Sequence, residues 1–278
     1  MLNDPEESHV RSHEVFVEVD ASREAVWKAV ADAEELKRWF PLDARIRPGK
    51  GGSLWLAWGP GFEMEQPITE WTEGKHYRCE SPAEGNNGRK IAVDYYIETR
   101  SGKTVLRIVT SFFGSGSWDD EFDGMQLGWS WFVQALRHAL DRRGGLVRCA
   151  TWLGTMEPQG RPAAWSKLTG PTGFPGDSAR ESAMKPGAPF EVTLGDDTRL
   201  RGKLLIHKPG CGFGGVLESH DEALFFLEVG PCGEAAMPSV LVSTFGKPQP
   251  ALHAAVAATF RRAYPDAAFG AEQVLNRG

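Results

Sequence analysis

Apolar and polar positions fall into two successive rounds along the chain. Residues 13–19 (HEVFVEV) alternate and put Val15, Val17 and Val19 on one face, as in a half-buried strand. Ser22 then offers a helix cap, Glu24 sits in the first turn, and Val26, Ala29 and Val30 form an apolar stripe. A second short helical piece, 33–40, stops at Pro41. β-Branched and aromatic runs at 53–58, 66–71, 77–80, 90–99 and 104–113 predict strands, the last two joined by a hairpin through Arg100-Ser-Gly-Lys103. The round closes on a long helix capped by Ser117, with Asp119, Asp120 and Glu121 at its positive end and Gly144-Gly145 as its stop. Phe122, Met125, Trp129, Phe132, Val133, Leu136 and Leu140 recur three or four apart along it. Such a helix must lie across the sheet, because nothing else in this half is left to cover it.

The second round is weaker. Residues 147–153 predict a strand, and Arg161-Pro-Ala-Ala-Trp165-Ser-Lys-Leu168 echoes Arg23-Glu-Ala-Val-Trp27-Lys-Ala-Val30. Lys185-Pro-Gly187 and the strand at 189–194 match Arg47-Pro-Gly49 and the strand at 53–58. Residues 239–245 match 104–112, and a helix at 250–263 carries Leu252, Val256, Phe260 and Ala263 on one face before Pro265 stops it. Four correspondences in one order predict a tandem repeat: domains at 10–146 and 147–266, with tails at 1–9 and 267–278.

Composition sharpens this division. The 278 residues carry a net charge of −6, which argues against nucleic acid as the main partner. Residues 1–146 hold 18 Lys and Arg against 24 Asp and Glu, whereas 147–278 hold 13 against 13. Eight of the ten tryptophans also lie in the first half. No apolar run is long enough to span a membrane, and the polar, acidic N-terminus does not read as a signal peptide; a cytoplasmic protein is expected. Cys79, Cys149, Cys211 and Cys232 are far apart, without zinc spacing, and read as reduced thiols.

Four segments carry a family resemblance: Val19-Asp-Ala-Ser-Arg-Glu-Ala-Val-Trp27, Leu36-Lys-Arg-Trp-Phe40-Pro, Arg47-Pro-Gly-Lys-Gly-Gly52 and Asp123-Gly-Met-Gln-Leu-Gly128-Trp129. Through them residues 14–143 resemble bacterial proteins related to the C-terminal domain of the activator of Hsp90 ATPase, in the START-like (SRPBCC) superfamily. The resemblance implies an α+β helix-grip fold. A curved antiparallel sheet wraps a long C-terminal helix and leaves a hydrophobic cavity between them, here twice over.

Under that fold the lining of the first cavity is Trp39, Phe40, Leu54, Leu56, Trp58, Tyr95, Leu106, Ile108, Phe112, Met125, Trp129 and Phe132, with Tyr95 as the polar anchor. Gly124 and Gly128, four apart on the long helix, either admit a close neighbour or leave empty volume beside Trp129. The expected partner is a small hydrophobic or amphipathic molecule, with no cofactor, no metal and a homodimer as an option. In the alanine-rich second copy, helix and sheet pack closer, and its role is structural or dimerising.

Two further readings come with the resemblance. A co-chaperone module would contact the bacterial Hsp90, although the full activator carries an N-terminal chaperone-binding domain where this chain has a second START-like copy. A polyketide cyclase-type enzyme would need Glu70, Asp94, Tyr95 or His138 to project into the cavity. Alternation instead sends Asp94 outward into solvent. The acidic group Asp119, Asp120, Glu121 and Asp123 is explained by the helix dipole, His9 and His13 by a solvated terminus, and Gly210-Cys-Gly-Phe-Gly-Gly215 by a flexible turn. No motif of nucleophilic, phosphate-binding or metalloprotease chemistry is present.

Overall fold

The computed structural model describes residues 11–81, 90–113, 119–142, 145–176, 185–232, 235–267 and 269–276, without the side chains of 119–121 and 232. Ser117, Gly144, His9 and the 1–9 tail therefore lie outside the described residues.

The first half runs β1 (Arg11–Val19), α1 (Arg23–Ala31), α2 (Ala33–Leu36), β2 (Asp43–Arg47), β3 (Ser53–Ala57), β4 (Glu63–Thr72), β5 (His76–Glu80), β6 (Lys90–Arg100), β7 (Lys103–Phe113) and α3 (Asp119–Asp141). Ser22 caps α1, its hydroxyl accepting from the Ala25 amide at 3.2 Å, and Asp32 caps α2. The strands form one antiparallel sheet in the order β1-β7-β6-β5-β4-β3-β2.

The second half runs β8 (Arg148–Gly154), α4 (Arg161–Leu168), β9 (Pro189–Thr193), β10 (Arg199–Lys208), β11 (Gly212–Leu217), β12 (Ala223–Cys232), β13 (Ala235–Phe245), α5 (Pro250–Ala263) and β14 (Phe269–Asn276). Its sheet order is β14-β8-β13-β12-β11-β10-β9. Removing β14 leaves the order of the first sheet without β2, so the helix-grip arrangement occurs in two sheets of matching connectivity.

Two expectations are corrected. Residues 269–276 are not a tail: β14 pairs antiparallel with β8 from Phe269 opposite Gly154 to Asn276 opposite Arg148. The glycine-rich segment is not a flexible turn either, because Gly212–Leu217 is a fully buried strand. Its glycines serve close packing. A Cβ on Gly214 would strike the Trp131 ring, and one on Gly215 would strike Phe190 and the Lys203 backbone.

Helix α3 explains how the halves join. Phe122, Met125, Trp129 and Phe132 face the first sheet, while Gly124, Leu127 and Trp131 form a second stripe on the opposite side. Trp131 stacks on Phe226 of β12 with centroids 4.8 Å apart, Leu127 lies against Gly212, and Gly124 leaves room for Pro231. One apolar core therefore contains residues of both halves. A second core, beneath α4 and α5, belongs to the second half alone. Helix α5 packs Leu252, Val256 and Phe260 into it.

Candidate functional site

The inward faces of β1, β7, β6, β5 and β3 meet the first stripe of α3 in an aromatic layer. Strand alternation brings Leu54, Leu56, Leu106, Ile108 and Phe112 into it, all buried. Phe40, from the α2–β2 connection, is the hub: its ring lies 4.6 Å from Phe132, 5.0 Å from Trp129 and 5.3 Å from Trp58. Trp39 stacks on Phe40 and donates its indole N–H to the Ala29 carbonyl at 2.8 Å. Tyr95 stacks on Tyr77 at 4.5 Å and meets Trp129 edge-on. Met125 is only partly buried. Eleven of the twelve residues expected to line a cavity thus share one packed cluster, whereas Phe112 meets His13 and Phe122 at the far end.

Of the two glycines on α3, Gly124 serves close approach to Pro231, whereas a Cβ on Gly128 would meet nothing within 4 Å. Two recesses stand out on the molecule. One of about 90 Å³ lies between α1, α2 and the end of α3, lined by Ala29, Glu35, Arg38, Trp39, Leu136 and Ala139 among others. Another of about 200 Å³ lies on the outer face of β2 and β3, where the Arg45 guanidinium covers the Trp55 ring.

Polar groups inside the layer divide into two kinds. Tyr77 donates to the Val30 carbonyl at 2.6 Å and Thr104 to the Ala21 carbonyl at 2.8 Å. Both ring nitrogens of His13, the Thr110 hydroxyl and the Trp129 indole nitrogen are buried without a hydrogen-bond partner among the described residues. Buried polar groups are nearly always paired, so three such side chains in one layer call for an explanation. His13 is not a solvated tail residue. It continues the inward parity of Val15, Val17 and Val19, stands opposite Thr110 in the β1–β7 ladder, and has the Phe122 ring 5.2 Å away. Burial drives its pKa down to about 4, which keeps the imidazole neutral near pH 7.

The sequence of residues 20–141 matches the model of the family described as activator of Hsp90 ATPase homolog 1-like protein. The matched stretch, residues 20–141, is an AHSA1-like segment covering less than half of the chain. Among solved structures, the chain with this AHSA1-like domain is similar to the Aha1 dimer from Colwellia psychrerythraea, at 18% identity over 48% of this chain and 97% of that one, with a TM-score of 0.40. It is similar to a conserved protein of unknown function, EF2215 from Enterococcus faecalis, at 19% identity over 49% and 78%, with a TM-score of 0.39. DynU16, from the dynemicin biosynthetic locus, aligns over 91% of this chain and 96% of its own at 15% identity, with a TM-score of 0.40. A search of curated proteins finds no match.

Of the four acid–base candidates, Tyr95 alone lies in the inner layer, and the other three lie elsewhere. Glu70 is exposed, 3.9 Å from His76 Nδ1. Asp94 points to the outer face as alternation requires, yet it is not solvated: it is 4% exposed. His76 Nε2 reaches one of its oxygens at 2.8 Å and Arg78 donates to the other at 2.7 Å, so those two side chains roof it over. His138 lies on the side of α3 facing the second half, 5.4 Å from Phe245. Cys79, Cys149 and Cys211 are free thiols, and burial pushes Cys79 up to about 12. Asp123 pairs with Lys208 at 3.0 Å. Among the described residues no group of three or more His, Cys, Asp or Glu is placed to hold a metal, and no helix is long and apolar enough to cross a membrane.

Sequence reasoning missed the polar seam that ties the AHSA1-like domain to the second half. Arg148 of β8 is 1% exposed and donates to the Lys37 carbonyl at 2.9 Å, the Pro41 carbonyl at 3.0 Å and Ser243 Oγ at 3.1 Å. Asn276 of β14 adds a bond to the same Lys37 carbonyl at 2.7 Å. Burial lowers the Arg148 pKa to about 10, which leaves it charged. The clamped carbonyls flank Trp39 and Phe40, so the second half fixes one wall of the aromatic layer. The only forewarning was Arg148 itself, a charge at an apolar parity of a predicted strand.

Proposed function

We propose that the N-terminal half binds a small hydrophobic or amphipathic molecule between its sheet and α3. The supporting observation is the set of unpartnered buried polar atoms on His13, Thr110 and Trp129 within an otherwise aromatic and aliphatic layer. Ligand sites combine such a lining with a few polar groups that fix orientation. The layer is closely packed at its Phe40 hub and looser toward Phe122, Met125 and Gly128, all of them partly exposed. Entry on that side separates α3 from β1 and β7, and apolar burial at about 25 cal/mol per Å² supplies the affinity. The second half is its structural partner, holding the Trp39–Phe40 wall through Arg148. Native mass spectrometry of the full chain, together with tryptophan emission during titration with aromatic and acyl compounds, tests the reading. A saturable emission change with a one-to-one adduct is expected. No adduct and no saturable change from any compound overturns it.

A further inference from the structure

We infer that the ligand of the first half carries an uncharged oxygen acceptor, a ketone, quinone or similar carbonyl, and lodges it against His13 and Thr110 at the Phe122 end of α3. The inference rests on the reading of this layer as a ligand site, and it names the chemical class that the layer selects.

The chemistry of the unpartnered atoms sets the class. The Thr110 hydroxyl donates as readily as it accepts. His13, neutral in its buried setting, has one N–H to give. The His13 and Thr110 donors, side by side in the ladder, match an oxygen with two lone pairs. His13 and Thr110 are direct neighbours across the β1–β7 ladder, and Val93 stands on the other side of Thr110. An acceptor there is walled by Phe112, Phe122 and Val93, surfaces that suit a flat apolar body.

The distribution of charge excludes ions from the same place. Glu14, Glu18, Asp94, Glu98 and Arg107 all occupy the outward parity of β1, β6 and β7, where Asp94 pairs with Arg78 and Arg107 pairs with Glu14 and Glu98. The inward positions of β1 from His13 onward, of β6 and of β7 carry no Asp, Glu, Lys or Arg apart from the strand ends. Arg11 precedes His13 at the same parity of β1. It is exposed, and its guanidinium lies over the Phe122 ring at 3.9 Å, at the mouth rather than within. A carboxylate or phosphate beside Thr110 would be buried without a counter-ion, which costs far more than a hydrogen bond returns.

Three probes of one shape separate the possibilities on the full chain at pH 7.5: 2-acetylnaphthalene, 2-ethylnaphthalene and 2-naphthoate. The ketone is expected to bind about tenfold more tightly than the ethyl compound and at least tenfold more tightly than the carboxylate. Thr110→Val and His13→Phe each shrink the ketone's advantage over the ethyl compound, while 2-ethylnaphthalene affinity stays within about twofold. In the unmodified protein the ketone should also shift the His13 ring ¹⁵N–¹H signal downfield, a readout that needs no variant to fold. Equal or tighter binding of 2-naphthoate, lost in Arg11→Gln, overturns the inference and leaves the ligand site standing with an anionic ligand. A ketone advantage that survives in both variants overturns it as well. Failure of all three probes to bind counts against the ligand site itself.

Discussion

The two sheets share an order of strands but treat their equivalent edges and helices differently. In the second sheet β8, the counterpart of β1, has its outer edge taken by β14. In the first, β1 is the edge strand among the described residues, with Phe16 58% exposed on it. Helix α5 serves only its own sheet, packing alanines, Leu252, Val256 and Phe260 into its core. Helix α3 serves both sheets, and its first stripe faces a layer that retains unpartnered polar atoms. The lesson is that a repeated topology divides its labour: one copy covers the edge of β8 and braces its neighbour, while the other gathers unpartnered donors on adjoining strands.

The strongest way to break this comparison is to remove one side of α3. Trp131→Ala takes away the stack on Phe226 and is expected to cost about 4 kcal/mol by urea unfolding, yet leave probe binding in the first half nearly unchanged. Trp129→Ala should cost a similar amount and abolish binding. Next comes the seam. Arg148→Met strips donors from the Lys37 and Pro41 carbonyls and should cost about 3 kcal/mol, with faster hydrogen exchange confined to residues around 37–42.

A pH series sharpens the comparison further. Glu228 shares the face of β12 that carries Phe226 toward α3; it accepts from the Ser239 hydroxyl at 3.4 Å, and burial raises its pKa from 4.5 to about 7. The folded state therefore holds this proton where the unfolded chain has released it, so stability falls as pH rises from about 4.5 to 7. Glu228→Gln should remove that fall and gain roughly 2 kcal/mol at pH 8, with little change at pH 4. Histidines act in the opposite sense. His253 is buried between Thr151 and Thr244, at 3.0 Å from each, and burial lowers it to about 4, as it does His13. Their contribution is complete above about 6.5 and is lost as pH falls toward 4. In the Glu228→Gln variant this acid-side loss should appear without compensation. Smallest of all, Phe16→Lys on the free edge of β1 should move stability by no more than about 0.5 kcal/mol, because its ring is mostly in solvent.

Much of this arrangement was legible in the sequence where burial follows a simple period. Alternation placed Tyr95 inward with Val93 and Ile97, and the three-to-four spacing of Phe122, Met125, Trp129 and Phe132 marked one face of α3. Reading failed where a residue's reason lay across the molecule. Gly212 and Gly214 looked like a loop, because the side chains that forbid a Cβ there, Leu127 and Trp131, are more than 80 residues away. β14 lies beyond a helix-stopping proline and is half exposed, so no local pattern betrays its pairing with β8. Asp94 had the right parity, but its burial depends on Arg78 and His76 folding over it, and parity carries no such information. His13 needed only the alternation of Val15 and Val17 carried one step further back.

The two-sided burial of α3 also has a consequence for the order of synthesis. As the chain leaves the ribosome from its N-terminus, β1 through α3 are complete about 70 residues before Gly212 and Gly214 emerge, and later still before Phe226 does. Throughout that interval Leu127 and Trp131 face water on a helix whose other side is already seated. The nascent first half thus passes through a stage that is folded but adhesive, and translation of β11 and β12 ends it.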